Sequence, residues 1–356
     1  MYKKFFMGIA AMAALTLVSS SSDDLNSVSD NSSKNEAISF DSYLGRSAVA
    51  VNGSRGSELT KTALQGLTEG FGVFGNYKNA EGLEFGSNWF DNVQVKYSSK
   101  DTKWTYSPVQ YWLPEGHIDF LAYAPYDSKY NTRVTNDNQK LDFTVDPDIK
   151  KQKDLLWANA KGQTKENIAN TDNKVKFQFA HALSRLGYTV KLKEAYSDAT
   201  ITLTKITLAG SSDGTGKAFY TTGTIDLSKT SSAGLWTTSA SDAKQKFDWF
   251  SETQTLATTD YKNPDADYLF VIPQDFSASA TDKLYVIVEY TIVGYKGVTT
   301  PMKNTVYQKL EQEFKQGKAY TINLTIGLTP IDFDADVTPW TDANNKNTDI
   351  NIDSWE

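Results

Sequence analysis

Cysteine is absent from all 356 residues, which removes disulfides, thiolate nucleophiles and Cys-based zinc sites together. Histidine is almost as scarce. His117 and His181 are the only two, so neither a multi-His metal site nor a Ser-His-Asp centre has much to draw on. Positive charge is outweighed: the net charge is -7, which disfavours a broad nucleic-acid-binding surface. Long hydrophobic runs are missing beyond Phe5 to Val18, which is too short for a spanning helix and has no successor. Aromatics, in contrast, are plentiful. They make up 13% of the chain, with 19 Tyr and 18 Phe, and with the β-branched residues they favour a β-rich protein. Hydrophobic residues at 39% supply a sizeable core, and the length suits roughly two domains.

Lys3 and Lys4 followed by the apolar stretch have the form of a secretory signal peptide, residues 1–19. Leu17-Val18-Ser19-Ser20 has the spacing of a bacterial lipobox, in which the fourth residue is cysteine; here it is Ser20. Thioether lipidation needs a sulfur nucleophile, which serine lacks. The expectation is a lipoprotein precursor with its cysteine replaced, the alternative an ordinary signal peptide with a Ser-rich cleavage region. Ser21-Ser22-Asp23-Asp24 resembles the acidic export tag of Bacteroidetes surface lipoproteins. Residues 20–36, rich in Ser, Asp and Asn, read as a flexible tether.

From residue 37 onward, period-2 alternation dominates. Leu284, Val286, Val288, Tyr290 and Ile292 share one parity and Tyr285, Ile287, Thr291 and Val293 the other, the pattern of a central strand covered on both faces. Ile201–Ile206 alternates and stops at Gly210, while Ile118–Ala124 and Tyr268–Ile272 stop at Pro125 and Pro273. Turn-forming clusters occupy 210–216, 228–234 and 259–266. Val306, Leu310 and Phe314 suit a short helix ending at Gly317 or, equally, an edge strand and turn. The polar stretch 159–174 reads as a loop before a new apolar run at Val175. The whole predicts an all-β chain of two sandwiches, 37–180 and 181–356.

Seven segments carry a resemblance. They are Ala37–Ala48 (AISFDSYLGRSA), Phe71–Phe74, Tyr111–Pro114 with Ile118–Pro125, Asp154–Ala158 (DLLWA), Phe177–Leu186 (FQFAHALSRL), Leu269–Gln274 and Gly317–Leu324. In this order they resemble the Bacteroidetes fimbrillins over nearly all of the chain beyond residue 37. The resemblance implies a type V pilus subunit built of two transthyretin-like β-sandwich domains in tandem. It implies no cofactor and no enzymatic activity. Its implied partners are other copies of the chain, related pilus subunits, an Arg-specific maturation protease and, through a lipid, the outer membrane. Cleavage would remove the N-terminal strand, with Ile38, Phe40 and Leu44 on its inner parity, and subunits would join by strand exchange. Tyr43-Leu44-Gly45-Arg46 points to cutting after Arg46; Arg55, in a turn-like Asn52-Gly53-Ser54-Arg55-Gly56, is the competitor, and both also suit ordinary surface arginines.

The remaining residues invite blander readings. His181 suits a strand-end histidine bonded to a backbone carbonyl better than a base or ligand, and His117 a turn. The eight tryptophans suit packing more than sugar stacking. Asp213-Gly214-Thr215-Gly216 suits a hairpin turn. Asp332, Asp334 and Asp336 suit the solvent face of a strand whose other parity is Ile331, Phe333, Ala335 and Val337. After Pro330 breaks the ladder, this strand and a short alternation at Ile350 and Ile352 are the candidate donors; their alternative is to close their own sandwich. A surface glycan-binding lipoprotein with an aromatic face is the second functional reading, and a secreted hydrolase, for which no site is visible, the third.

Ser20 yields the first prediction. In a host with lipoprotein processing, Ser20→Cys should move the protein to membranes and let it take up labelled fatty acid. A Cys variant that stays soluble and unlabelled would refute the lipobox reading.

Overall fold

Alternating apolar residues between turn clusters do fold as strands. The structure, a computed structural model, describes residues 37–44, 61–79, 81, 89–131, 134 and 138–328, with the backbone of Asp332–Pro339 and Thr348–Ile350. These belong to one compact unit, Glu36–Glu356. The chain is all-β. Its described α-helix is a six-residue piece, Lys61–Gly66, which the strand pattern did not announce and which buries Leu64.

A seven-stranded sheet organises the N-terminal part. Its order is Phe40–Leu44, Val175–His181, Leu156–Gln163, His117–Ala124, Phe71–Lys78, Phe90–Ser98, Lys103–Thr105. Two of its strands are buried on both faces. Phe71 and Val73 enter one hydrophobic core and Phe74 a second; Phe120 and Ala122 enter the first, Leu121 and Tyr123 the second. Burial on both faces accounts for their near-continuous apolar sequences. The double cover expected at Tyr285–Val293 is only partial. That strand is central, between Thr200–Ala209 and Met302–Lys309. Val286, Val288, Tyr290 and Ile292 are buried on one face; on the other Ile287 is buried, but Tyr285, Thr291 and Val293 are only half-buried.

Two other expectations resolve. The ambiguous stretch from Val306 to Phe314 lies in strands Met302–Lys309 and Glu313–Phe314, so the helical alternative falls. Stretch 159–174 is not all loop, because Leu156–Gln163 runs into it as strand. Asn159 explains part of this: its amide donates to the carbonyls of Leu227 and Lys229, holding a polar residue in place within a sheet.

His181 departs from its expected partner. Its Nδ1 lies 2.7 Å from Asp154 Oδ2, with both side chains buried, so a carboxylate, not a backbone carbonyl, holds the ring. Segments far apart in sequence meet here. Ala182 N donates to Leu155 O at 2.8 Å, Gly317 N to Leu183 O at 2.9 Å, and Gln316 Nε2 to the His181 carbonyl. Ser184 Oγ donates to Lys315 O at 2.9 Å, and Phe270 N to Gln152 Oε1 at 2.8 Å. Gly317 sits at φ +64, and an added Cβ would lie 3.2 Å from the His181 carbonyl oxygen.

Cutting the carboxylate should therefore be felt globally. Asp154→Ala should lower stability by about 1–3 kcal/mol, because a buried imidazole loses this partner. Urea titration checks it; an unchanged midpoint would show that the contact carries no stability.

Candidate functional site

The site begins with an exposed-edge problem. Val175, Phe177, Phe179 and His181 alternate with Lys176, Gln178 and Ala180, and the first set is buried. Against Leu156–Gln163, this strand is registered only at His181 and Ala180. Its remaining length, Val175 to Phe179, is registered instead against Phe40–Leu44, in parallel, from Phe40↔Val175 to Leu44↔Phe179. Among the described residues, then, the five of the first strand supply the ladder for five residues of a core strand.

The side chains of this first strand complete the core. Ile38, Phe40 and Ser42 are 2%, 3% and 1% exposed, whereas Tyr43 is 41% exposed. The Phe40 ring lies 5.6 Å from Phe90, 5.3 Å from Tyr106, 5.5 Å from Phe120 and 5.5 Å from Phe177, centroid to centroid. Edge-to-face arrangements with Phe90 and Phe120 suit the aromatic quadrupoles. Polar ties flank the ring. Ile38 N donates to Gln110 O at 2.8 Å, Tyr106 OH donates to Ile38 O at 2.7 Å, and Val175 N donates to Ser39 O at 2.9 Å. Ser39 Oγ donates to Asn173 O at 2.9 Å. Burial pushes the Tyr106 hydroxyl up to about 12, against the smaller opposing pull of its hydrogen bond with Gln110, so it remains a donor throughout the physiological range. One atom fits less well: Ser42 Oγ is buried and has no hydrogen-bond partner among the described residues.

The expected N-terminal strand residues Ile38 and Phe40 therefore lie together in this groove. Leu44 stands in register with Phe179, and only its backbone is described. Arg46 follows two residues later; Arg46, Arg55 and Ser20 lie outside the described residues. Tyr106 and Gln110 were missed, and no sequence signal offered them, because residues 99–110 have no alternation to assign a face.

The C-terminal candidates lie elsewhere. Lys318–Ile326 pairs in parallel with Ser184–Leu192 and antiparallel with Asp332–Pro339, which pairs in turn with Thr348–Ile350. The strands containing Phe333, Val337 and Ile350 thus close the sheet of their own chain here, while Ile331 and Ile352 lie outside the described residues. The break near Pro330 does separate two strands.

Trp104, Trp112, Trp157 and Trp249 are buried and Trp89 and Trp236 half-buried. An aromatic sugar-binding face therefore lacks exposed tryptophans among the described residues; Trp340 and Trp355 lie outside them. His117 opens the strand His117–Ala124, with Nε2 3.9 Å from Asp119. Asp213 accepts from Thr215 N at 3.0 Å in a turn closed by Gly210 N to Gly216 O at 2.9 Å, but the strands on either side join different sheets.

Comparison with known proteins matches residues 59–340 to the fimbrillin-like family. The chain belongs to the fimbrillin-like family. Its fold is shared with a fimbrial protein from Bacteroides vulgatus, at 21% identity and TM-score 0.64 over 86% of this chain and 99% of that one. A candidate cell adhesion protein from Bacteroides ovatus is similar at 14% identity and TM-score 0.52, covering 86% of this chain and 98% of that one. No curated protein matches.

Truncating the ring at the centre of the groove should leave a cavity lined by aromatics. Phe40→Ala should destabilise the fimbrillin-like chain by about 3–5 kcal/mol, read by thermal or chemical denaturation. A loss below about 1 kcal/mol would mean that the strand is not an integral part of this core.

Proposed function

We propose that this fimbrillin-like chain is a structural subunit of a type V fimbria that serves cell adhesion at the cell surface. In this reading it is exported as a lipoprotein precursor, trimmed by an Arg-specific protease after Arg46, with Arg55 the alternative, and polymerised by strand exchange. Residues 37–180 form the half that accepts a strand, and residues 181–356 the half that carries the donor, within the segment Ile331 to Trp355. Fimbrial and adhesion proteins of the same fold support the coarse reading.

One observation carries the finer one. Phe40–Leu44 is the first described strand, its Phe40 ring fills a core built by other segments, and Arg46 follows it two residues later. A single cut there separates the strand covalently while leaving its groove intact. An emptied groove offers main-chain partners and side-chain pockets to any strand of matching alternation. Exchange between copies runs head to tail and does not close, so it yields a filament.

Treating the purified full chain with an Arg-specific protease tests this. The expected result is a new N-terminus at Ser47, or at Gly56 if Arg55 is the site, followed by ladder-like polymers. Absence of a cut at either position, or cut chains that remain monomeric, would overturn the reading.

A further inference from the structure

Open strand edges invite pairing, and the sheet ordered Phe247–Phe250, Thr200–Ala209, Tyr285–Val293, Met302–Lys309 ends in one. Among the described residues, no strand pairs with Met302–Lys309 on its far side. We propose that a second copy of this chain pairs there, antiparallel, about a two-fold axis at Tyr307. The contact goes beyond the strand-exchange reading and needs neither cleavage nor the Phe40 groove.

The backbone supplies one half of the argument. Positions along an antiparallel ladder alternate between pairs that exchange hydrogen bonds and pairs that do not. Leu310 N donates to Leu284 O at 2.9 Å, one step beyond the registered pair Tyr285↔Lys309. The even-numbered positions therefore bond inward, and the amides and carbonyls of Lys303, Thr305, Tyr307 and Lys309 point to the open edge. Side chains keep the same parity. Met302 and Val306 pack against the core, while Lys303, Thr305 and Tyr307 are exposed.

Side chains supply the other half, because they fix a register. Tyr307, 57% exposed, is the most exposed large hydrophobic side chain among the described residues. Its ring meets Tyr285 edge-on with centroids 6.2 Å apart, so a second Tyr307 arriving at the edge extends an aromatic row already begun. With Tyr307 opposite its own copy, Lys303 faces the second copy's Glu311 on either side of the axis, and Thr305 faces Lys309. Glu311 is exposed just past the strand end, in contact with Lys309 of its own chain. Opposite charges across a strand pair are favourable and like charges unfavourable. Lysines on an edge ordinarily discourage pairing; here they discourage wrong registers. Sliding the second copy two residues one way sets Lys303 against Lys309. Sliding it two the other way carries Lys303 past Glu311 to Glu313, which belongs to another sheet, paired with Asp275. The same patch serves both copies, so the contact closes as a dimer and does not propagate.

Sedimentation equilibrium of the uncut full chain, taken up to about 1 mM because a single strand edge makes a small interface, tests this. A reversible dimer is expected. Tyr307→Lys, at an exposed position, should weaken it about tenfold or more, as should Lys303→Glu, while Lys303→Glu with Glu311→Lys should restore it. A chain that stays monomeric throughout, or a dimer indifferent to Tyr307→Lys, overturns the proposal, and a double variant no tighter than Lys303→Glu overturns the register. The absence of native cysteine allows a second measurement. Under mild oxidation Tyr307→Cys should form a covalent dimer, since its mate lies directly opposite. Thr305→Cys should not, since its mate lies four positions along the strand, about 13 Å away. Equal cross-linking of the two, or cross-linking of Thr305→Cys alone, rules out an axis at Tyr307. None of these outcomes bears on cleavage or strand exchange, which the Arg-specific protease tests separately.

Discussion

A core strand cannot be left with a bare edge, and the N-terminal half of this molecule is arranged around that constraint. Val175 to Phe179 buries alternate side chains, yet its described ladder comes from Phe40–Leu44, more than 130 positions earlier in the chain. An open edge of this kind exposes unpaired amides and carbonyls and pairs readily with another chain. Phe40 is what makes the cover more than a backbone patch. Its four aromatic neighbours come from Phe90–Ser98, the Tyr106 loop, His117–Ala124 and Val175–His181, so one ring closes a core assembled from distant parts of the sequence. Losing it opens all of them at once.

A second constraint sits at the other end of the same strand. Where Val175–His181 passes into Ser184–Leu192, the Asp154–His181 contact joins the strand to the preceding segment. Backbone bonds to Gly317 and side-chain bonds from Gln316 and Gln152 bring in the 316–318 and 269–271 regions. Four of the segments that carry the family resemblance converge on this junction. A buried carboxylate–imidazole contact and a glycine that must approach a carbonyl closely are demanding packing requirements.

Much of the fold was legible because period-2 alternation and Pro or Gly punctuation act locally. Thr200–Ala209, His117–Ala124 and the Ile38, Phe40 face followed from them directly. What remained hidden depends on tertiary context. Periodicity cannot tell that Phe71–Lys78 has cores on both sides whereas Tyr285–Val293 has one buried face and one on which only Ile287 is buried; only the arrangement of layers decides it. Asp154 and His181 are separated by 26 intervening positions, and a lone histidine gives no sign of which acceptor it will find. Tyr106 lies in a polar stretch without a repeating pattern, so nothing marked it as a wall of the groove. The helix Lys61–Gly66 has one fully buried residue, Leu64, too little to generate a helical periodicity.

The proposed maturation also explains why a subunit with such a groove would not polymerise prematurely. While the resident strand is continuous with the body, it competes for the groove at an effective concentration of order millimolar, set by the length of the connection. A strand arriving from another copy competes at its bulk concentration, far lower in dilute solution. Better local fit alone does not overcome that difference unless it is large. Cutting the connection removes the intramolecular advantage in one step, and the freed strand is then as dilute as any rival. The hydroxyl of Ser42, buried with no hydrogen-bond partner among the described residues, then counts against the resident strand. A strand that is slightly suboptimal for its groove is thus the right one to place upstream of a cleavage site. It must be good enough to fold the precursor while tethered, and poor enough to yield once the tether is gone.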